Sequence, residues 1–212
     1  MSEAKNNTLI HDTIAIFIIT LVAGILLGGV YQMTKDIIRQ READATNEAY
    51  AAVYKDASFS EDAELTKKRE AFNEELSAGK VESVSGYNLS DVEITDIRKA
   101  DKGGYVLTTS GKGYGGAVKI ALGVNDAGEI IGIQITDCTN ETPGLGQNSS
   151  KEEWNGQYKE ASTAKEAVVN KDKDGAKGEV VEINAISGAT ITSRAVTRAV
   201  DGAMLLITSL SE

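Results

Sequence analysis

The chain has 212 residues, and its 22 Lys and Arg against 32 Asp and Glu leave a net charge of -10, which argues against nucleic acid as a partner because phosphate backbones call for a basic face. The only cysteine is Cys138 and the only histidine is His11, beside an apolar segment, so a Cys/His zinc site, a Cys-held iron–sulfur cluster, an intrachain disulfide and a Ser-His-Asp triad are out of reach. Any redox chemistry must therefore come from an organic cofactor.

Residues 1–12 form a short polar tail, and residues 13–34, TIAIFIITLVAGILLGGVYQMT, contain no charged residue. A bilayer core takes about 20 residues of helix, so this run is read as a single membrane-spanning anchor in contact with lipid. A cleaved signal peptide would have a shorter apolar core and a small-residue cleavage site, and a buried core helix is the plainer alternative. Removing Glu3, Lys5 and Asp12 takes the basic count from 22 to 21 and the acidic count from 32 to 30, so the part beyond the anchor carries about -9. Lys35, Arg39 and Arg41 follow the anchor while only Lys5 and the α-amino group precede it; by that count alone the larger part faces the cytoplasm.

Residues 35–80 read as a helical connector and 81–212 as the folded domain. Residues 81–140 are rich in strand signals. Val106 and Thr108, then Val118, Ile120 and Leu122, alternate, and the turn NDAG at 125–128 separates two β-rich runs as a hairpin would. Residues 141–150 read as a loop with the only proline, 151–170 as helix, 171–179 as a charged turn, and VVEINAI at 180–186 as a strand. A final helix from about Thr190 to Leu210 carries Val196, Val200, Met204 and Ile207 at helical spacing. The expected class is α+β, an antiparallel sheet flanked by helices.

Three segments could carry chemistry. In SGATITS (187–193), Gly188 permits a tight turn and hydroxyls open the last helix, where free N–H groups and the helix dipole favour an anion. The plainer reading is that Ser187 or Thr190 only caps the helix. In NETPGLGQ (140–147), Pro143 sets a turn, and Gly144 and Gly146 let the backbone approach something flat or bulky. GKGYGG (111–116) has neither the spacing of a phosphate-binding P-loop nor a following helix, and a glycine-rich strand entry often marks only a bulge or close packing.

Together SGATITSRAV (187–196), ETPGLG (141–146) and GYGGAVKIALGVNDAGEIIGI (113–133), behind one apolar segment, resemble the FMN-binding domain of the G subunit of Rnf electron-transport complexes. The C subunit of sodium-translocating NADH:quinone reductase is a relative of that family. The resemblance implies one FMN per chain, joined by a flavin transferase through its phosphate to a threonine hydroxyl that maps to Thr190. It places Ser187, Gly188, Ala189 and Thr192 around the phosphate, with Thr192 the rival hydroxyl, and Glu141, Thr142, Leu145 and Gly146 along the isoalloxazine pocket. The family motif opens on Asp, where this sequence has Asn184. The resemblance further implies an electron relay without substrate chemistry of its own, other subunits of a ferredoxin:NAD+ oxidoreductase complex coupled to Na+ or H+ as partners, and a cell (inner) membrane location with the flavin domain outside the cytoplasm, against the charge count. The alternatives are the quinone-reductase C subunit, a stand-alone extracytoplasmic flavoprotein, or an anchored sensory domain without covalent flavin.

Overall fold

The structure, a computed structural model, describes residues 2–160 and 166–211. The apolar run lies in helix α1 (Ser2–Val53), the one helix among the described residues long and apolar enough to cross a membrane. Its most apolar stretch reaches a mean hydropathy of 2.6. The two hydroxyls that interrupt the run are satisfied by the helix itself. Thr20 donates to the carbonyls of Ile16 (3.0 Å) and Phe17 (2.9 Å), and Thr34 donates to that of Val30 (2.8 Å). Neither would present an unpaired polar group to hydrocarbon.

The chain divides into two compact units, Met1–Ala45 and Thr46–Glu212. The second begins earlier than the sequence suggests, because the last turns of α1 are buried in it. The Tyr50 hydroxyl donates to Asp96 Oδ2 (3.0 Å) and bonds the Thr108 hydroxyl (2.9 Å). Residues 35–80 are accordingly not one helical connector. The chain breaks after Val53, contributes the two-residue edge strand β1 (Phe59–Ser60), and re-enters helix at α2 (Ala63–Ser77). Asp62 caps α2 by accepting the Glu64 (2.8 Å) and Leu65 (3.4 Å) amides, and Leu65, Phe72 and Leu76 form its buried face.

The central sheet is an antiparallel meander in the order β1, β2 (Glu93–Ala100), β3 (Tyr105–Lys112), β4 (Ala117–Val124), β5 (Ile130–Asp137). The hairpin at NDAG forms as the sequence suggests. Asn125 accepts the Ala127 and Glu129 amides on its side chain, and Gly128 takes φ +79. Gly123 and Gly132 face each other across β4 and β5, and a Cβ on Gly132 would lie 2.0 Å from the Val53 carbonyl oxygen. This glycine pair is the notch on which the end of α1 rests.

On the sheet lies α5 (Thr190–Ser211), with Val196, Val200, Met204 and Ile207 all buried. Full burial of such side chains contributes about 1.5–3 kcal/mol each. Strands therefore bury one helix stripe, and the α+β architecture follows.

The region 151–170 differs from the expected helix. It has two four-residue helices, α3 (Glu152–Asn155) and α4 (Gln157–Glu160), whose Trp154 and Tyr158 rings meet edge-on at 5.8 Å. Residues 161–165 of that expectation fall outside the described residues. Ala167–Val169 is then a strand, β6, paired in parallel with β7 (Val181–Ile183). All three β6 residues are buried, and a short, fully buried apolar strand carries no alternation to betray it.

Candidate functional site

The three segments singled out in the sequence converge on the N-terminal end of α5. The ETPGLG loop starts with a turn in which the Leu145 amide bonds the Thr142 carbonyl at 3.1 Å. Pro143 sits at its second position and Gly144 at its third with φ +75, the conformation a type II turn requires. The chain then tightens into a 3-10 turn, Gly146–Ser150.

Glu141 is 2% exposed and joins all three segments. Its Oε1 accepts the Gly115 amide at 2.8 Å, and its Oε2 accepts the hydroxyl of Thr192. Space explains the glycines: a Cβ on Gly115 would lie 1.8 Å from the Asn140 carbonyl oxygen, and one on Gly146 would lie 2.6 Å from Thr192 Oγ1 and 2.7 Å from Glu141 Oε2. GKGYGG is thus the β3–β4 turn, pressed against the loop, and not a phosphate-binding motif.

At the end of α5, Ser193 donates its amide to the Ala189 carbonyl (3.0 Å), which puts Ala189 at the capping position. Alanine has no side-chain acceptor, so the reading in which Ser187 or Thr190 merely caps the helix does not hold. Helix geometry leaves the amides of Thr190, Ile191 and Thr192 without intrahelical acceptors. The Ser193 hydroxyl instead ties the strand-to-helix turn, accepting the Ile186 amide and donating to the Ala189 carbonyl, each at 3.0 Å. Gly188 turns the chain with φ +76, and its Cα faces Leu145 so closely that a Cβ would lie 3.0 Å from Leu145 Cδ2.

Between loop and helix opens a cleft of about 480 Å3, within the usual range for cofactor sites. Of the residues named from sequence, Thr142, Leu145, Gly146, Gly188, Ala189, Thr190 and Thr192 line it. Ser187 is exposed but does not line it, and Glu141 is buried beneath it. The two candidate hydroxyls differ: Thr192 is 1% exposed and spends its hydroxyl on Glu141, whereas Thr190 is half-buried at the cleft wall.

Sequence reasoning missed three lining residues: Tyr114, Ile191 and Lys171. Tyr114 is 72% exposed and is the one aromatic in the glycine-rich turn, a signal that could have found it. Lys171 is hidden in the charged turn 171–179, 19 residues before Thr190, yet its Nζ donates to Thr190 Oγ1 at 3.3 Å. Lys171 belongs to the 3-10 turn Asn170–Gly175, whose Asp172 pairs with Arg194 of α5 through two contacts of 2.6 Å and accepts the Tyr87 hydroxyl at 2.8 Å. The Arg194 guanidinium holds the Asp172 carboxyl below the usual carboxylate range. Asn184, at the first motif position, accepts from Asn170 Nδ2 at 3.3 Å and so helps hold the same turn.

The site thus offers a hydroxyl, first-turn helix amides and an ammonium at one end, with Tyr114, Leu145 and Ile191 as a partly apolar surround. That donor set fits a flavin nucleotide, with an anionic phosphate at one end and a flat aromatic ring at the other. Among the described residues no group of three or more His, Cys, Asp or Glu is placed to hold a metal ion.

Residues 113–204 match the family described as FMN-binding domain, a span that includes the β3–β4 turn, the loop and most of α5. The G subunit of the proton-translocating ferredoxin:NAD(+) oxidoreductase complex of Clostridium ljungdahlii is 31% identical over 99% of this chain and 97% of its own length. The Na(+)-translocating counterpart of Acetobacterium woodii is 41% identical over 51% of each chain. Among solved structures, the C subunit of the Na(+)-translocating NADH-quinone reductase of Parabacteroides distasonis is 18% identical, with a TM-score of 0.42, covering 70% of this chain and 98% of that one.

Proposed function

Because this chain belongs to the G-subunit family of ion-translocating ferredoxin:NAD+ oxidoreductase complexes, we propose that it is an electron-transfer subunit carrying one FMN on Thr190. It relays electrons between redox centres of other subunits in a membrane complex coupled to Na+ or H+ movement. The relatives are named for different ions, protons in one and Na+ in the other. The observation that carries the reading is the position of Thr190, at the first residue of α5, in the cleft wall, with Lys171 Nζ at its hydroxyl. FMN, when bound, supplies reversible uptake of one or two electrons.

Attachment requires a donor with a phosphoanhydride on the flavin side, such as a flavin dinucleotide, and a transferase. The Thr190 Oγ1–phosphorus bond forms as the anhydride P–O bond breaks. The nucleoside monophosphate leaves, the hydroxyl proton passes to a base of the transferase, and no electrons change hands. The resulting phosphodiester keeps one negative charge at a helix N-terminus, where the dipole favours it. Thr142, Leu145 and Gly146 wall the ring end, while Glu141 holds loop and helix in register from below. Residues 13–34 anchor the chain in the cell (inner) membrane with the flavin domain outside the cytoplasm.

The test is intact mass of the full chain purified from its own host, with a denaturing gel viewed under ultraviolet light. A gain of FMN less one water and a fluorescent band are expected, and Thr190→Val should abolish both. An unmodified mass, or a modified T190V chain, overturns the assignment. Protease accessibility of the domain in oriented vesicles checks its side of the membrane.

A further inference from the structure

Resting on the reading that Thr190 carries the flavin phosphate, we propose that Lys171 is the cation that binds this phosphate, held at Thr190 by the Asp172–Arg194 ion pair. Lys171 lies in the cleft wall with its Nζ 3.3 Å from Thr190 Oγ1, the atom that would bear the phosphorus. A phosphate there would put its non-bridging oxygens within reach of an ammonium, and charge-assisted hydrogen bonds are among the stronger polar contacts. Lys171 comes from a segment remote in sequence, so something must hold it at α5. Asp172, its neighbour, does so: Arg194 Nε and Nη2 each meet the carboxylate at 2.6 Å, and the Tyr87 hydroxyl closes it at 2.8 Å. Arg194 is four residues after Thr190, on the same face of α5. The other side of the turn is fastened by Asn170 to Asn184 (3.3 Å) and by Lys173 to Glu182.

The division of labour follows from this geometry. The Asp172 carboxylate is committed to Arg194 and Tyr87, and Arg194 is committed to Asp172, which leaves Lys171 as the cation facing the hydroxyl. As the Oγ1–phosphorus bond forms and the anhydride bond breaks, negative charge grows on the phosphoryl oxygens, and a fixed ammonium stabilises it. Asp172 and Arg194 are positioning residues.

The experiment uses the full chain co-expressed with a flavin transferase, following covalent incorporation by intact mass over time. Lys171→Gln should slow incorporation about tenfold, the scale of one lost charged hydrogen bond at an exposed site, and Lys171→Arg should restore most of it. Lys171 is exposed, so the thermal midpoint of K171Q should match the unsubstituted chain. Asp172→Asn should slow incorporation as well, with little further loss in the K171Q/D172N double variant, because both act through one ammonium. Incorporation into K171Q at the unsubstituted rate overturns the inference while leaving the Thr190 reading intact. No incorporation into the unsubstituted chain overturns that reading, and this inference with it.

Discussion

Thr192 donates its hydroxyl to Glu141, 51 residues earlier in the chain, and through that bond the first turn of α5 is tied to the ETPGLG loop. The same carboxylate takes the Gly115 amide, so one buried side chain sets the width of the cleft between three segments. Glu141→Ala leaves the buried Thr192 hydroxyl without its acceptor, at about 1–3 kcal/mol, and frees the Gly115 amide, which solvent can reach at less cost. A fall in denaturation midpoint of that scale is expected. Glu141→Gln keeps the shape and one acceptor and should cost less than half as much. Urea unfolding of the three proteins checks the order; equal midpoints for E141A and the unsubstituted chain would remove Glu141 from this role.

Two glycines of the loop separate backbone conformation from space. Gly144 has φ +75, and a Cβ added there would meet nothing within 4 Å, so Gly144→Ala should cost about 1–2 kcal/mol from left-handed backbone alone. Gly146 has no such angle, but an added methyl would strike Glu141 and Thr192, an overpacking worth about 1–3 kcal/mol. Both variants should unfold earlier. Only G146A should also slow flavin incorporation, since it alone pushes the loop from the helix; the paired measurement is unfolding midpoint against intact mass.

A pH dependence follows from Asp201 on α5, which is 1% exposed. Its Oδ1 accepts the Ala167 amide at 2.7 Å, while Oδ2 has no partner within hydrogen-bond distance among the described residues. Burial, and to a smaller degree the neighbouring Glu166 carboxyl, push its pKa well above the ordinary value, with the Ala167 amide and the Ser85 hydroxyl opposing them. Tyr87 and Tyr158 are the other titratable groups that feel it, and both phenols are raised, first by burial. Because the folded pKa is the higher one, the native state holds a proton the unfolded chain has released. The stabilisation is whole below the unfolded Asp value of about 3.9 and is lost as pH rises toward the folded value, at up to about 1.36 kcal/mol per pH unit. Asp201→Asn keeps the acceptor and removes the titration. Its stability relative to the parent should therefore climb as the pH range scanned rises above about 4. A flat difference across that range would contradict the assignment.

Much of this is legible in the residues. The uncharged run from Thr13 to Thr34 reads as a helix long and apolar enough to cross a membrane, and the structure makes it helix throughout. The NDAG hairpin and the Val196, Val200, Met204, Ile207 stripe are readable because turn chemistry and helical period are local, and the structure places both as expected. The ETPGLG and SGAT segments stand out as candidates for the same reason: glycines and hydroxyls at turns state what the backbone must do nearby.

Contacts between remote segments are settled only by the fold. The motif assigns Glu141 to the pocket, yet this residue lies buried beneath it, because the loop folds under to meet Gly115 and Thr192. Lys171 is one charge among several in the sequence; an ion pair between Asp172 and Arg194 brings its turn to Thr190. The strand Ala167–Val169 hides in an expected helix because three buried apolar residues have no period to show. Sequence by itself determined a long apolar helix near the start, the class of fold and the turn segments that line the cleft, since these depend on local period, turn geometry and composition. Tertiary structure decided which hydroxyl stands open, which carboxylate is structural and which cation faces the site, since these depend on side chains that meet only when the chain is closed.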